Sequence, residues 1–561
     1  MGIGKWIAGI LVGLVIVGAL LAYNLPSILM QYPDLIGVLA RLREPIGPTR
    51  EVTWEAGPAT AAEPAADRPP NIVVILVDDL GWNDLTWNGG GVADGTVPTP
   101  HIDSLARDGV EFTMGYAGNA TCAPSRAALL TGRYGPRFGF ESTPAPSAMG
   151  KITSQIQREL LADGEPVALF HEDRVPEVPA MEAQGVPASE ITLAELLGKK
   201  GYHSVLLGKW HLGADEGKRP TDQGFDEFLG FYSGGSLFGE EDDPEIVNSK
   251  QDFDPIDRFL WKVLAFFVRK DDGPRFTPPE YMTDYLSHEA VAAIDANRNR
   301  PFFLYLAYNA PHTPLQATKS DYDALAHIED HKTRVYGAMI RSLDRGIGEV
   351  LAALRDNGLE ENTLVVFSSD NGGAGYIGIP SVNQPYRGWK MTFFEGGLHS
   401  PFFMKWPAVL PAGGTVDTPV SHIDVFSTAA AAAGAPLPDD RVIDGVDLIP
   451  YATGRAEGDA HDALFWRSGD LQVVMADGWK LQVDGRQGKH WLFHLDTDPT
   501  EKKNRAEAEP ERVRELQKRL DAFNQEVGPR HFPVLVENPV PIDRTRADPH
   551  IPGEEFAYWP N

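Results

Sequence analysis

Four short apolar runs, each ending in a cluster of polar residues, constrain this chain more than any other feature. Residues 72–77 (IVVILV) run into Asp78-Asp79, and residues 204–207 (SVLL) into Gly208-Lys209-Trp210-His211-Leu212-Gly213. Residues 302–306 (FFLYL) lead to Asn309-Ala310-Pro311-His312-Thr313-Pro314, and 363–367 (TLVVF) to Ser368-Ser369-Asp370-Asn371-Gly372-Gly373. Continuous apolar runs without polar alternation are strands buried on both faces, as in a parallel sheet. Helical patterns over 192–200, 284–296 and 336–357 alternate with them. The chain is therefore α/β, a helix–sheet–helix sandwich around a large, mostly parallel sheet. In open α/β sheets ligands bind beyond the carboxyl ends of the strands. The four polar clusters should converge there on one site, although they are spread from residue 78 to residue 373.

The charge balance adds a condition. The 561 residues include 79 acidic and 50 basic side chains, a net charge of −29. Such a surface repels nucleic acid at long range, so no nucleic-acid partner is expected. An anionic substrate would need positive charge gathered locally. Residues 6–22 (WIAGILVGLVIVGALLA) carry no charge and follow Lys5. Their length is at the lower edge for a spanning helix, and no convincing small-residue cleavage site follows. The expectation is a membrane anchor within 1–30, with the rest of the chain in the periplasm or outside the cell. Secretion after cleavage is the alternative. Residues 31–70 read as a juxtamembrane segment and an Ala/Pro-rich linker. A main body spans 71–455, and a smaller α+β unit 456–530, with short antiparallel strands near 471–475 and 491–494 and a packing helix over 512–525. The Pro-rich tail 531–561 is expected to wrap the surface. Residues 136–188 look like an insertion. The apolar run 256–268 reads first as a buried helix, with a substrate-site wall or a membrane-touching lid as alternatives.

Cys122 is the only cysteine. It cannot form an intrachain disulfide, so it is either a buried thiol or a group with chemistry. It opens Cys122-Ala123-Pro124-Ser125-Arg126-Ala127-Ala128-Leu129-Leu130-Thr131-Gly132-Arg133. This stretch resembles the signature of the type I sulfatases, of the alkaline phosphatase superfamily. The likeness continues through 98–113 (PTPHIDSLARDGVEFT), with His101 where Asn is more usual, and through 208–213 (GKWHLG), Pro311-His312-Thr313-Pro314-Leu315, Asp370-Asn371-Gly372-Gly373, Lys390 with Glu395-Gly396-Gly397, and 493–504 (FHLDTDPTEKKN). The blocks follow family order over roughly 71–525, while 136–188 and 240–280 match poorly. GKWHLG and the His-Thr-Pro-Leu block look most like the arylsulfatase and N-acetylgalactosamine-sulfatase branch.

The resemblance implies an alkaline-phosphatase-like fold and hydrolysis of sulfate monoesters, on small molecules or on sulfated saccharides. It implies that a formylglycine-generating enzyme oxidises Cys122 to an aldehyde, whose hydrate attacks sulfur and later expels sulfate. It implies one divalent metal, calcium with magnesium as alternative, held by Asp78, Asp79, Asp370, Asn371 and an oxygen of modified residue 122. Residues 125–131 are expected to open a helix, with residue 122 near its positive end. Arg126 would hold the diol and the carboxylates, and Lys209 and Lys390 would grip the sulfate. His211 would serve as base for the collapse. His312 would protonate the leaving oxygen, with a pKa near neutrality. Ser233 would be a further substrate contact. Two alternatives stay open: a phosphomonoester or phosphodiester hydrolase of the same superfamily, and an inactive sulfated-sugar-binding protein.

Overall fold

The computed structural model describes residues 34–161 and 164–561. Its centre is a nine-stranded sheet in the order Gly414–Val416, Val110–Phe112, Phe402–Lys405, Thr363–Ser369, Asn71–Val77, Phe302–Ala307, His203–Lys209, Glu227–Phe231, Arg269–Lys270. The four strands read from the sequence lie side by side at its middle and pair in parallel. Antiparallel pairing appears only toward the rims, at Phe402–Lys405 and Arg269–Lys270.

Strand periodicity divides the core in two. Val73, Ile75 and Val77 pack with Leu286, Ile294, Ile340 and Ile347, from the helices Met282–Asn297 and His331–Asp356. Ile72, Val74 and Leu76 pack on the opposite face with Ala127, Leu130, Leu197 and Phe426, from Cys122–Thr131, Leu193–Gly198 and Ile423–Ala432. The strand is wholly buried because both of its faces carry helices. Thr192 and Glu195 close a reciprocal capping box at the start of Leu193–Gly198, and Asp330 caps His331–Asp356. Gly208 has φ +98°, and a Cβ there would lie 2.1 Å from the carbonyl oxygen of Ala307. Only glycine lets the His203–Lys209 strand pass its neighbour just before Lys209.

Beyond the main sheet, Leu464–Ser468, Leu471–Ala476, Trp479–Asp484 and Lys489–His494 form a four-stranded antiparallel sheet. The helix Pro510–Val527 packs on it through Leu516 and Leu520. The tail does more than wrap the surface. Val536–Pro541 pairs antiparallel with Phe556–Pro560, and Leu169–Phe170 joins at Val536 and Glu537. Pro539 and Pro541 lie where that strand has a partner on one side only, the sheet position that tolerates proline.

The apolar run 256–268 does not form one buried helix. The helix Pro255–Val263, capped by Asp254, ends halfway along the run, and most of its apolar side chains are half-buried. Phe259 is buried and Ile256 and Trp261 pack against the edge of the core, while Ile256, Phe259, Leu260 and Val263 also line a cavity. Among the described residues no helix is long and apolar enough to cross a membrane. The expected anchor at 6–22 lies outside the described residues.

Candidate active site

The ends of the four central strands converge. Asp78 and Asp79 follow Asn71–Val77, Lys209 ends its strand, and Asp370 and Asn371 follow Thr363–Ser369. Gly372 makes the next junction: a Cβ there would lie 1.9 Å from the carbonyl oxygen of Gly396, so the Asp370 turn and the 388–397 loop meet backbone to backbone. This approach brings Lys390, whose N–H donates to the Gly373 carbonyl, over the carboxylates.

Three carboxylates and three cations interlock out of solvent. Lys209 Nζ donates to Asp78 Oδ2 at 2.6 Å. Lys390 Nζ and Asn371 Nδ2 each donate to Asp79 Oδ1 at 2.7 Å. Arg126 donates to Asp370 Oδ2 through Nε at 2.8 Å, its Nη2 forms an ion pair with the same oxygen at 2.7 Å, and its Nη1 donates to the Lys209 carbonyl. Burial opposes ionisation of all three acids. It raises Asp78 and Asp370 in spite of the cations beside them. At Asp79, Lys390 and His312 outweigh burial and hold the carboxyl well below its usual range. Asp79 and His211 both have left-handed backbone, at φ 65° and 62°, a strain found where a site over-determines its residues.

Cys122 is the first residue of the Cys122–Thr131 helix, which thus starts three residues before the expected position. Its Sγ lies 3.4 Å from His211 Nδ1. Single ligand atoms of Asp78, Cys122 and Asp370 lie within 4.8 Å of one another, as do those of Asp78, Asp79 and His312. Asp78 Oδ1 and Asn371 Oδ1 are buried without a hydrogen-bond partner. Two orphaned oxygens beside ionisable carboxylates fit a hard cation, which prefers oxygen ligands.

A cavity of about 330 Å³ opens onto this cluster, with Cys122, His211, Ser233, His312 and Lys390 in its lining. Arg126, Lys209, Asp78, Asp79, Asp370 and Asn371 stand behind that surface, so Lys209 reaches the cavity only through its neighbours. The Ser233 hydroxyl donates to the Gly235 carbonyl at 2.9 Å. His312 departs from expectation. Burial, with Lys390 beside it, pulls its pKa down to about 3 instead of leaving it near neutrality. Its Nδ1 donates to the Thr313 carbonyl, which directs Nε2 toward Asp79 Oδ2, 3.6 Å away. His211 is likewise held well below its ordinary value, by burial and then by Lys209 and Arg126.

Two residues escaped the sequence reading. Tyr376 lines the cavity and donates to Asp79 Oδ2 at 3.0 Å. His422 is buried between Ser125 Oγ at 3.1 Å and Ser368 Oγ at 2.8 Å, and so ties the Cys122 helix to the end of the Thr363–Ser369 strand. Neither sits in a block with a local chemical pattern.

A family profile described as Sulfatase matches residues 70–435. The chain belongs to the sulfatase family. N-acetylgalactosamine-6-sulfatase of Mus musculus is 36% identical over 425 residues, 74% of this chain and 72% of that protein. Steryl-sulfatase of Mus musculus is 34% identical over 477 residues, covering 72% and 69% of the two chains. The crystal structure of Ps i-CgsB in complex with k-i-k-neocarrahexaose is 30% identical and superposes with a TM-score of 0.67, over 83% of this chain and 95% of that one. This sulfatase is accordingly a sulfuric ester hydrolase with the alkaline-phosphatase-like sheet.

Proposed function

We propose that this sulfatase cleaves sulfate monoesters with residue 122, matured to formylglycine by a partner enzyme, as its nucleophile. One divalent cation, calcium or magnesium, would be held by Asp78, Asp79, Asp370 and Asn371. The observation that carries the reading is the shared position of Cys122, the acidic cluster and the two orphaned oxygens at the floor of one cavity. The hydrated aldehyde would supply the attacking oxygen, and the cation would draw charge from the ester's oxygens.

The chain's own residues divide the remaining work. Lys390 presents an ammonium to the sulfate from the cavity lining, and Lys209 keeps the floor positive behind it. Arg126 holds Asp370 in place. His211 is neutral and 3.4 Å from the position 122 side chain, so its Nδ1 is placed to take a proton from the group there. His312 is anchored through Nδ1, which leaves Nε2 to carry a proton to the leaving oxygen. The arriving ester brings negative charge between Lys390 and His312, and this opposes the influence that depresses His312. Ser233 offers a hydroxyl at the rim. The alcohol half would be that of a small molecule or a sulfated saccharide. The uncharged stretch 6–22 supports attachment to a membrane, with the folded part in the periplasm or outside the cell.

Mass spectrometry of the peptide bearing position 122 tests the centre of the proposal. Active protein should show loss of one sulfur and two hydrogens and gain of one oxygen there, and Cys122→Ala should fold but not turn over. Full activity with an intact thiol would refute it.

A further inference from the structure

The cavity floor and the cavity walls differ in chemistry. Every ion pair described above lies in the floor. Among the described residues that line the cavity, Lys390 is the only Lys, Arg, Asp or Glu side chain. The walls are Met149 of the helix Ser147–Leu160, Ile256 and Phe259 of Pro255–Val263, Leu264 just after it, and Leu535 and Trp559 of the tail. Ile256, Phe259 and Leu264 come from the apolar run 256–268, whose far end, Phe266 and Val268, enters the core. Of the polar side chains that reach the walls, Thr143 Oγ1 is buried without a partner, and three others are committed to the protein itself. Gln157 Oε1 accepts from the Ala168 N–H at 2.7 Å, Gln184 Nε2 donates to the Pro179 carbonyl at 2.8 Å, and the Thr153 hydroxyl donates to the Met149 carbonyl at 2.8 Å.

Such walls discriminate. A ring of hydroxyls brought here would lose water and find few partners, at a cost for each group left unpaired. A second sulfate or carboxylate would meet no second cation, within a protein whose net charge is −29. A hydrocarbon surface would gain by leaving water. The volume of about 330 Å³ falls among small-molecule sites, which span roughly 300–1,000 Å³.

We propose that the subsite adjoining the sulfate takes an apolar alcohol, so that the preferred substrates are sulfate esters of alkyl alcohols. This rests on the sulfatase reading and narrows it to a substrate class. The test is a series of n-alkyl sulfates from ethyl to octyl, followed by release of sulfate, with nitrophenyl sulfate and N-acetylgalactosamine 6-sulfate as comparators. Leaving-group acidity scarcely changes along the series, so a trend reports the walls. At about 0.8 kcal/mol per buried methylene, kcat/KM should rise up to about fourfold per added carbon until the cavity is full. A flat series, with the sugar sulfate and nitrophenyl sulfate turned over, would overturn the inference and leave the sulfatase reading intact. Should no sulfate ester be hydrolysed, the sulfatase reading fails instead. The walls are then judged by calorimetric affinity for the same alkyl sulfates, which must strengthen with chain length or the inference falls too.

Discussion

Removing Arg126 should turn this protein into one whose stability depends on a cation. Its side chain is wholly buried, with Nε donating to Asp370 Oδ2, Nη2 in an ion pair with the same oxygen, and Nη1 donating to the Lys209 carbonyl. Burial works against its charge, but Asp370 beside it more than offsets this and keeps the guanidinium protonated. Asp78, Asp79 and Asp370 are balanced, charge for charge, by Arg126, Lys209 and Lys390. Arg126→Met leaves one carboxylate in excess, and Asp370 keeps only the Asp79 N–H at 3.3 Å. Breaking a buried pair on one side costs about 3–5 kcal/mol. A divalent ion at the same carboxylates can replace the missing charge, and at a hundred times its Kd it stabilises by about 2.7 kcal/mol. Thermal unfolding of wild type and variant, each in chelator and in excess calcium, is the assay. The variant should melt well below wild type in chelator, and calcium should narrow the gap. A gap of equal size in both conditions would mean that the cation does not sit among these acids. A variant that melts like wild type in chelator would refute the charge accounting itself.

His312→Ala should harm esters of poorly acidic alcohols about 100- to 10,000-fold more than nitrophenyl sulfate, which leaves without a proton; equal losses in kcat/KM would remove it as the acid. Glu227 accepts from His203 and Lys270 and, although burial opposes its charge, these partners bring its pKa to about 2 from an ordinary 4.5. A depressed folded-state value stabilises above the unfolded pKa and is lost as pH falls through the folded one. Glu227→Gln should therefore be less stable than wild type at neutral pH, with the difference vanishing between pH 4.5 and about 2; a pH-independent gap in denaturant midpoint would exclude the linkage. Deleting residues 1–30 should move the enzyme from the membrane pellet to the soluble fraction with activity retained, and a truncated protein that still needs detergent would show that other residues hold the membrane.

The sheet was legible because strands buried on both faces leave unbroken apolar runs, and because the chain breaks them sharply at Asp78, Gly208 and Asp370. Part of the site was legible for the same reason, since Asp78, Asp79, Lys209, Asp370 and Asn371 stand at strand ends, whereas Cys122, Arg126 and Lys390 were readable only through the family resemblance. Strands of two or three residues at the rims, such as Arg269–Lys270 and Gly414–Val416, are too short to carry a period. The fate of 256–268 was not readable, since an apolar side chain looks the same facing a core or a cavity. Tyr376 and His422 acquire their roles from partners far away in the chain, at Asp79 and Ser125. The pKa of His312 depends on Lys390 and on burial, neither of which is local to the His-Thr-Pro-Leu block.

All ten residues of the Cys122–Thr131 helix are buried, and Arg126 is locked into the carboxylate cluster from inside. A protein that recognises Cys122, Pro124 and Arg126 by their side chains has nothing to grasp once this helix is seated. The neighbours that seat it, at Ser368, Asp370 and His422, are made more than two hundred residues later. During synthesis or export there is thus an interval in which the motif is complete but its enclosure does not yet exist. If residue 122 is matured as proposed, its oxidation would belong to that interval, and a molecule that folded with its thiol intact would have missed the time at which it could be activated.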